Sequence, residues 1–253
     1  MLRIRHGFAR PAHWALISAG MMLAGTTAAQ ARTTAGIGVA AVPAYQGADN
    51  YRVLPFPVLD VQVGQIFANV NNGIGIYVID TPGLKMGGSV TFVQGYRDRD
   101  TPRGIDNLSD ALGGRMFASV TLAGLRAQIG ATRSIGGGTR GTVVDAQLAY
   151  PLRAGPKLLL IPTLSTSWAN DKHMDRYFSV TPVESAASGL ATYRASGGFK
   201  DVSAGVTANY RLAGRLNLTG SVTMIHLLDK AGNSPFVEKR WQPFSFVGLS
   251  YSF

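Results

Sequence analysis

The last ten residues alternate without a break. Val247, Leu249, Tyr251 and Phe253 share one face of an extended strand, and Gly248, Ser250 and Ser252 share the other. This is a period of two, which a helix of period 3.6 cannot match. One face is apolar and the other small and polar, as in a soluble sandwich or a membrane barrel, and on this stretch alone both stay open.

The beginning of the chain narrows the choice. Residues 1–10 carry Arg3, Arg5 and Arg10 and no acid, an apolar run follows over 14–25, and Ala29-Gln30-Ala31 has the small-x-small form of a signal-peptide cleavage site. The apolar run is too short for a membrane helix, which needs roughly 20 residues. The expected division is a cleaved leader over 1–31 and one domain over 32–253, a length suited to a single barrel or sandwich. Without the three leader arginines the 24 basic residues become 21 against 14 acidic ones. A charge of about +7 on an exported chain reads as solvated turns and loops, and nothing in it suggests a nucleic-acid partner. With no cysteine, the chain can form no disulfide, thiolate metal site or lipidated N-terminal cysteine. A membrane would have to be held by strands.

The alternation recurs along the whole domain and yields twelve candidate strands. Ile37, Val39 and Ala41 oppose Gly36, Gly38 and Ala40; Met116, Ala118, Val120 and Leu122 oppose Arg115, Ser119 and Thr121; Val144, Ala146, Leu148 and Tyr150 oppose Asp145 and Gln147. One face suits lipid and the other a polar interior, the pattern of a transmembrane barrel. The inward set holds Arg115, Arg126, Asp145 and Asp201 among small polar residues, with Phe244 and Phe246. Asn72-Gly73 reads as a tight turn with positive φ at its centre, and Thr81-Pro82-Gly83 as a type II turn.

The connections give a second test, because such barrels have short turns on the periplasmic side and longer loops outside. Gly64, 81–83, Ala123-Gly124, 153–156 and Ala213-Gly214 are short, and they alternate with longer connections that include 97–111, 170–198 and 229–243; Asn72-Gly73 is the exception. A soluble sandwich has no reason to alternate in this way. The expected fold is an all-β antiparallel transmembrane β-barrel of about twelve strands, in a Gram-negative outer membrane, with both termini periplasmic. The Tyr251-Ser252-Phe253 ending resembles the signal that the barrel-assembly machinery reads. In the longest loop, Thr181, Pro182 and Glu184 form a capping-box pattern that predicts a short helix over 182–188, ended by Gly189. That loop could cover the mouth.

Several motifs, in order and at matching spacing, resemble the MltA-interacting protein family, also called MipA/OmpV. They are Pro43, Tyr45, Gly47 and Asp49 followed by Pro55 and Pro57; Tyr177, Phe178 and Pro182 with Ser188, Gly189 and Tyr193; Ser234-Pro235; and the Tyr251 and Phe253 ending. The resemblance spans essentially the whole mature chain. It implies an outer-membrane protein, embedded in outer-membrane lipids, without catalytic chemistry or cofactor. The family's type member is regarded as a scaffold joining a lytic transglycosylase to a penicillin-binding protein in murein turnover. Other members are described as porin-like or adhesive, so a narrow channel for small solutes and a surface adhesin are the alternative readings. The motifs fall mostly in loops expected outside the cell, whereas murein enzymes are periplasmic; either the motifs maintain the fold, the favoured reading, or they serve an outward-facing role and the scaffold function does not transfer.

Little in the mature chain suggests an enzyme. His173, near Asp171, Asp175 and Ser179, is read as part of a solvated polar loop, and His226 as an interfacial side chain at a strand end. Asp98, Asp100, Asp106 and Asp110 share a loop with Arg97, Arg99 and Arg103, and their spacing is that of self-compensating surface charge and not of a calcium loop. A scaffold would present its periplasmic turns, 153–157 and 211–215, as basic contact points.

Overall fold

The computed structural model describes residues 33–253; the expected leader over 1–31 lies outside them. The strands are β1 (Thr33–Pro43), β2 (Tyr51–Val63), β3 (Ile66–Asn69), β4 (Gly73–Asp80), β5 (Leu84–Val93), β6 (Ala111–Leu122), β7 (Leu125–Ile135), β8 (Thr142–Ala149), β9 (Leu152–Arg153), β10 (Leu158–Ala169), β11 (Gly198–Ala213), β12 (Leu216–Leu227) and β13 (Trp241–Ser252). Two-residue β9 continues the line of β8 and also pairs with β10. The wall therefore has twelve staves, each antiparallel to the next. β13 closes the ring on β1, from Thr34↔Ser252 to Ala41↔Ser245. Closure of β13 on β1 removes the two free end strands that an open sheet would present to a membrane.

The expected facing holds. Along β13 exposure alternates residue by residue, with Phe244 and Phe246 buried while Val247, Leu249 and Tyr251 are exposed. Ile37, Ile74, Met116, Leu122, Val222 and other large apolar side chains point outward. A closed barrel wrapped in an apolar belt is an outer-membrane barrel. No helix among the described residues is long and apolar enough to cross a membrane. Inside, Phe67, Tyr77 and Phe117 form an edge-packed trio, and Phe56 meets Phe246 edge-on at 5.4 Å. Phe246 has room because a Cβ on Gly38 or Gly248 would come within 2.6 Å of its ring.

Connections at one end, called here the turn end, are short; those at the other, the loop end, are mostly long. The described chain begins and ends together at the turn end, where the Phe253 amide donates to the Thr33 carbonyl at 2.8 Å. Two turns differ from expectation. Gly73 has φ 79° but Asn72 is not left-handed, because its side chain turns inward to bond Arg115 and its amide donates to Asn69 Oδ1. Gly83 lacks the positive φ of a type II turn. Thr81 closes that hairpin by bonding Leu84 through both its amide and its hydroxyl. The left-handed pair is instead Ala123 (φ 50°) and Gly124 (φ 83°).

Candidate functional site

At the loop end four connections fold into one cap. Its helices are α1 (Asp171–Phe178), α2 (Pro182–Ser188) and α3 (Asp229–Gly232). Asn170 caps α1 by accepting from the His173 amide, and Met174, Tyr177 and Phe178, spaced three and four apart, face inward from it. α2 has the full capping box: Thr181 accepts from the Glu184 amide, Glu184 accepts from the Thr181 amide, and Gly189 ends the helix at φ 78°. The helix is the one expected from the sequence.

The cap core joins Tyr45, Tyr96, Met174, Tyr177, Phe178 and Phe236 from all four loops. Tyr45 stacks on Phe236 at 5.3 Å, its hydroxyl donates to the Phe236 carbonyl at 3.0 Å, and Glu238 lies 3.1 Å away. Burial, reinforced by Glu238, raises the Tyr45 phenol well above its usual pKa, so the group stays neutral. Gln46 donates its amide to the Tyr177 hydroxyl, and Ser234 donates its hydroxyl to the Phe178 carbonyl at 2.6 Å.

Most residues of the sequence motifs meet here. Gly47 (φ 111°) lies against Val237 and accepts from the Glu238 and Lys239 amides, and Asp49 donates its amide to Glu238. Tyr193 pairs with Val180 and bonds the Lys230 carbonyl. Ser188 closes on the Glu184 carbonyl, Pro182 opens α2, and Pro235 stands between Ser234 and the buried Phe236. Pro43, Pro55 and Pro57 are not in the cap but in the wall, on β1 and β2. Tyr251 and Phe253 are exposed at the turn end, with their rings edge-to-face at 5.1 Å.

Beneath the cap lies a chamber of about 190 Å³. Arg115, 7% exposed, runs along its wall over β7 and donates to both oxygens of Asp145 at 2.6 and 2.9 Å, with further bonds to Asn72 Oδ1 and to the Thr132 hydroxyl. Gly130 makes room, since a Cβ there would be 2.3 Å from Arg115 Nη2. On the far wall Lys200 pairs with Asp201 and donates to Gln46. Of the inward charges expected from alternation, Arg115, Asp145 and Asp201 thus occur in ion pairs, with Lys200 near the start of β11 and Gln46 in the β1–β2 connection as further partners.

His173 corrects an expectation. It is not solvated but 5% exposed, with Nδ1 3.1 Å from the Thr139 hydroxyl and its ring stacked on Tyr177. Burial first, then the Lys200 charge, lower its pKa to about 3, so it is neutral. Its presumed neighbours do other work: Ser179 donates to Asp175, and Asp171 accepts from the Gly197 amide. His226 stacks on Trp241 at 4.1 Å. The acidic loop is not self-contained either, because Asp100 pairs with Arg52 of β2 as well as with Arg99, whereas Asp110 accepts from Gly95 within the same connection. Among the described residues no group of three or more His, Asp or Glu side chains is arranged to hold a metal.

The family model described as MltA-interacting protein MipA matches residues 35–253. The chain belongs to that family. Two curated relatives, the MltA-interacting proteins of Escherichia coli (strain K12) and Shigella flexneri, are each 27% identical over 115 residues, 46% of this chain and 46% of theirs. The chain thus spans about half the length of the curated relatives it matches. Among solved structures, the outer membrane channel DcaP of Acinetobacter baumannii has a TM-score of 0.40 at 9% identity, covering 91% of this chain and all of that one. Within this MipA-family barrel, most of the motif residues named from the sequence lie in the cap, and Pro43, Pro55 and Pro57 lie in the wall.

Proposed function

We propose that this MipA-family barrel is a non-enzymatic interaction protein, which holds a murein-degrading lytic transglycosylase, and through it a penicillin-binding protein, at the inner face of the outer membrane. In this reading the turn end faces the periplasm, Tyr251 and Phe253 are what the assembly machinery engages, and the motif residues serve the cap. The observation that carries the reading is a basic rim at the turn end. Arg153, Lys157, Arg211 and Arg215 are all exposed on two neighbouring turns, which the Arg211 amide joins by donating to the Lys157 carbonyl at 2.9 Å. None of the four enters an ion pair among the described residues. Four unpaired cations on a rigid rim suit an acidic protein surface and would steer its approach. The names of the two curated relatives agree with such a partner.

The test is a pull-down of purified lytic transglycosylase on the refolded barrel at low and high salt. Retention that weakens with salt, and falls at least tenfold when all four residues become glutamate, supports the reading. Retention unchanged by the reversal, or none from the start, overturns it.

A further inference from the structure

The barrel wall is incomplete at one place. β3 has only four residues and pairs with β2 solely over Asp60–Val63, while β4 pairs with β5 no further than Ile74↔Val90. Beyond that short hairpin, toward the loop end, no strand among the described residues stands between β2 from Tyr51 to Leu59 and β5 from Thr91 to Val93. The ladder between β2 and β1 is unbroken through Val39↔Pro55 and Ile37↔Pro57. The two proline nitrogens must therefore point to the open edge. A residue with an N–H there would offer a bond to an invading strand, and proline does not. Exposed apolar side chains flank the notch, among them Val53, Ile74, Val90 and Leu112, so it lies within the membrane-facing belt.

The chamber lies behind the notch. Pro43, Val70, Phe92 and Val93 line its near side, and the charged residues line its far wall. On that wall Ser167 is opposite Asp145 on one neighbouring strand and Asp201 on the other. Two strand spacings put the carboxylates about 10 Å apart with the serine between them. Arg115 balances one and Lys200 the other. Ser167 and His173, 8% and 5% exposed, are among the residues that line this chamber, and Ser167 Oγ and His173 Nε2 are buried with no hydrogen-bond partner among the described residues.

We propose that the chamber binds the zwitterionic headgroup of a single-chain amphiphile, whose alkyl chain leaves through the notch between β2 and β5 into the membrane. The ammonium sits at Ser167 between Asp145 and Asp201. The anionic group accepts from Lys200 and from His173 Nε2, whose proton is fixed there when the Thr139 hydroxyl donates to Nδ1. A zwitterion enters without leaving the balanced wall a net buried charge, whereas an anionic or cationic headgroup would. The proposal does not rest on the partner reading, which concerns the opposite end of the barrel.

The experiment is native mass spectrometry of the mature barrel in a maltoside detergent, titrated with lysophosphatidylethanolamine, with the chainless glycerophosphoethanolamine, and with lysophosphatidylglycerol of the same chain length. Saturable binding of one lysophosphatidylethanolamine, at least tenfold tighter than either other probe, is expected. Ser167→Leu, in the wall, and Val70→Trp, in the notch, should each weaken it at least tenfold while the barrel keeps its heat-modifiable mobility. Equal binding of the chainless headgroup would remove the notch, and equal binding of the anionic lipid would remove the charge balance. Either result, or no binding of the zwitterion, overturns the proposal.

Discussion

The Arg115 guanidinium is the residue on which the chamber wall depends. It is nearly buried and bidentate to Asp145, so Arg115→Ala strands a carboxylate in a low-dielectric interior and should cost about 3 kcal/mol or more. Arg115→Met combined with Asp145→Leu should recover most of that loss, because the pair then leaves together. Gly130→Ala should cost less than Arg115→Ala, since the guanidinium can shift away from the new methyl. Urea midpoints of the refolded barrel in vesicles check this order, and a double variant as unstable as Arg115→Ala would refute the account. His173 adds a pH dependence. Its folded pKa of about 3 lies below the unfolded value near 6.5, so between those values the unfolded chain takes up a proton that the folded chain refuses. Its contribution is complete above pH 6.5 and is lost as pH falls toward 3. The thermal midpoint of the wild type should therefore drop further between pH 7 and pH 4.5 than that of His173→Asn, in which the carboxylates still titrate but this ring does not. Each kcal/mol corresponds to roughly 2–4 °C in a domain of this size. At this scale the sequence was readable wherever period two applied, as the inward Arg115, Asp145 and Asp201 show. It was not readable for His173, because burial in a loop depends on contacts such as Thr139, 34 residues away.

Among the elements, the short connections carry the turn chemistry and the long ones carry packing. Ala123 and Gly124 are both left-handed, the pairing that a two-residue hairpin favours, yet alanine has no side-chain bond to offset its positive φ. Ala123→Asn should stabilise the β6–β7 hairpin by about 0.5–1 kcal/mol, read as a higher urea midpoint with an unchanged slope. A lower midpoint would mean that the contacts of the methyl group matter more than the dihedral. The capping box of α2 was legible because it is local: three residues specify it. α1 has equally local signs, with Asn170 as the cap and Met174, Tyr177 and Phe178 at helical spacing, but eight residues inside a 28-residue connection are easily taken for loop. The turns at Asn72 and Gly83 were misread for a different reason. There the side chains of Asn72 and Thr81 make bonds that displace the dihedrals a dipeptide pattern suggests.

Across the whole molecule, the strand count, the facing and the alternation of connection lengths were all visible in sequence, because a barrel repeats one rule twelve times. The closure of the interior was less visible, because it comes from groups meeting across the lumen. From the loop end a solute first meets the cap core, then the paired ions of the chamber, then the rings of Phe56, Phe246, Phe67, Tyr77 and Phe117. Twelve staves would otherwise enclose more room than eight, where side chains just fill the space. Two independent closures mean that removing one does not open the other. The wild-type barrel in a planar bilayer should give no stable conductance steps. A variant that unlocks only the cap, Tyr45→Ala with Phe236→Ala, should stay silent. Steps should appear once Phe67→Ala, Phe117→Ala and Phe246→Ala are added on the same background. Steps from the wild type, or from the cap variant alone, would mean that the aromatic layer is not a barrier, and the narrow-channel reading would then replace the interaction protein.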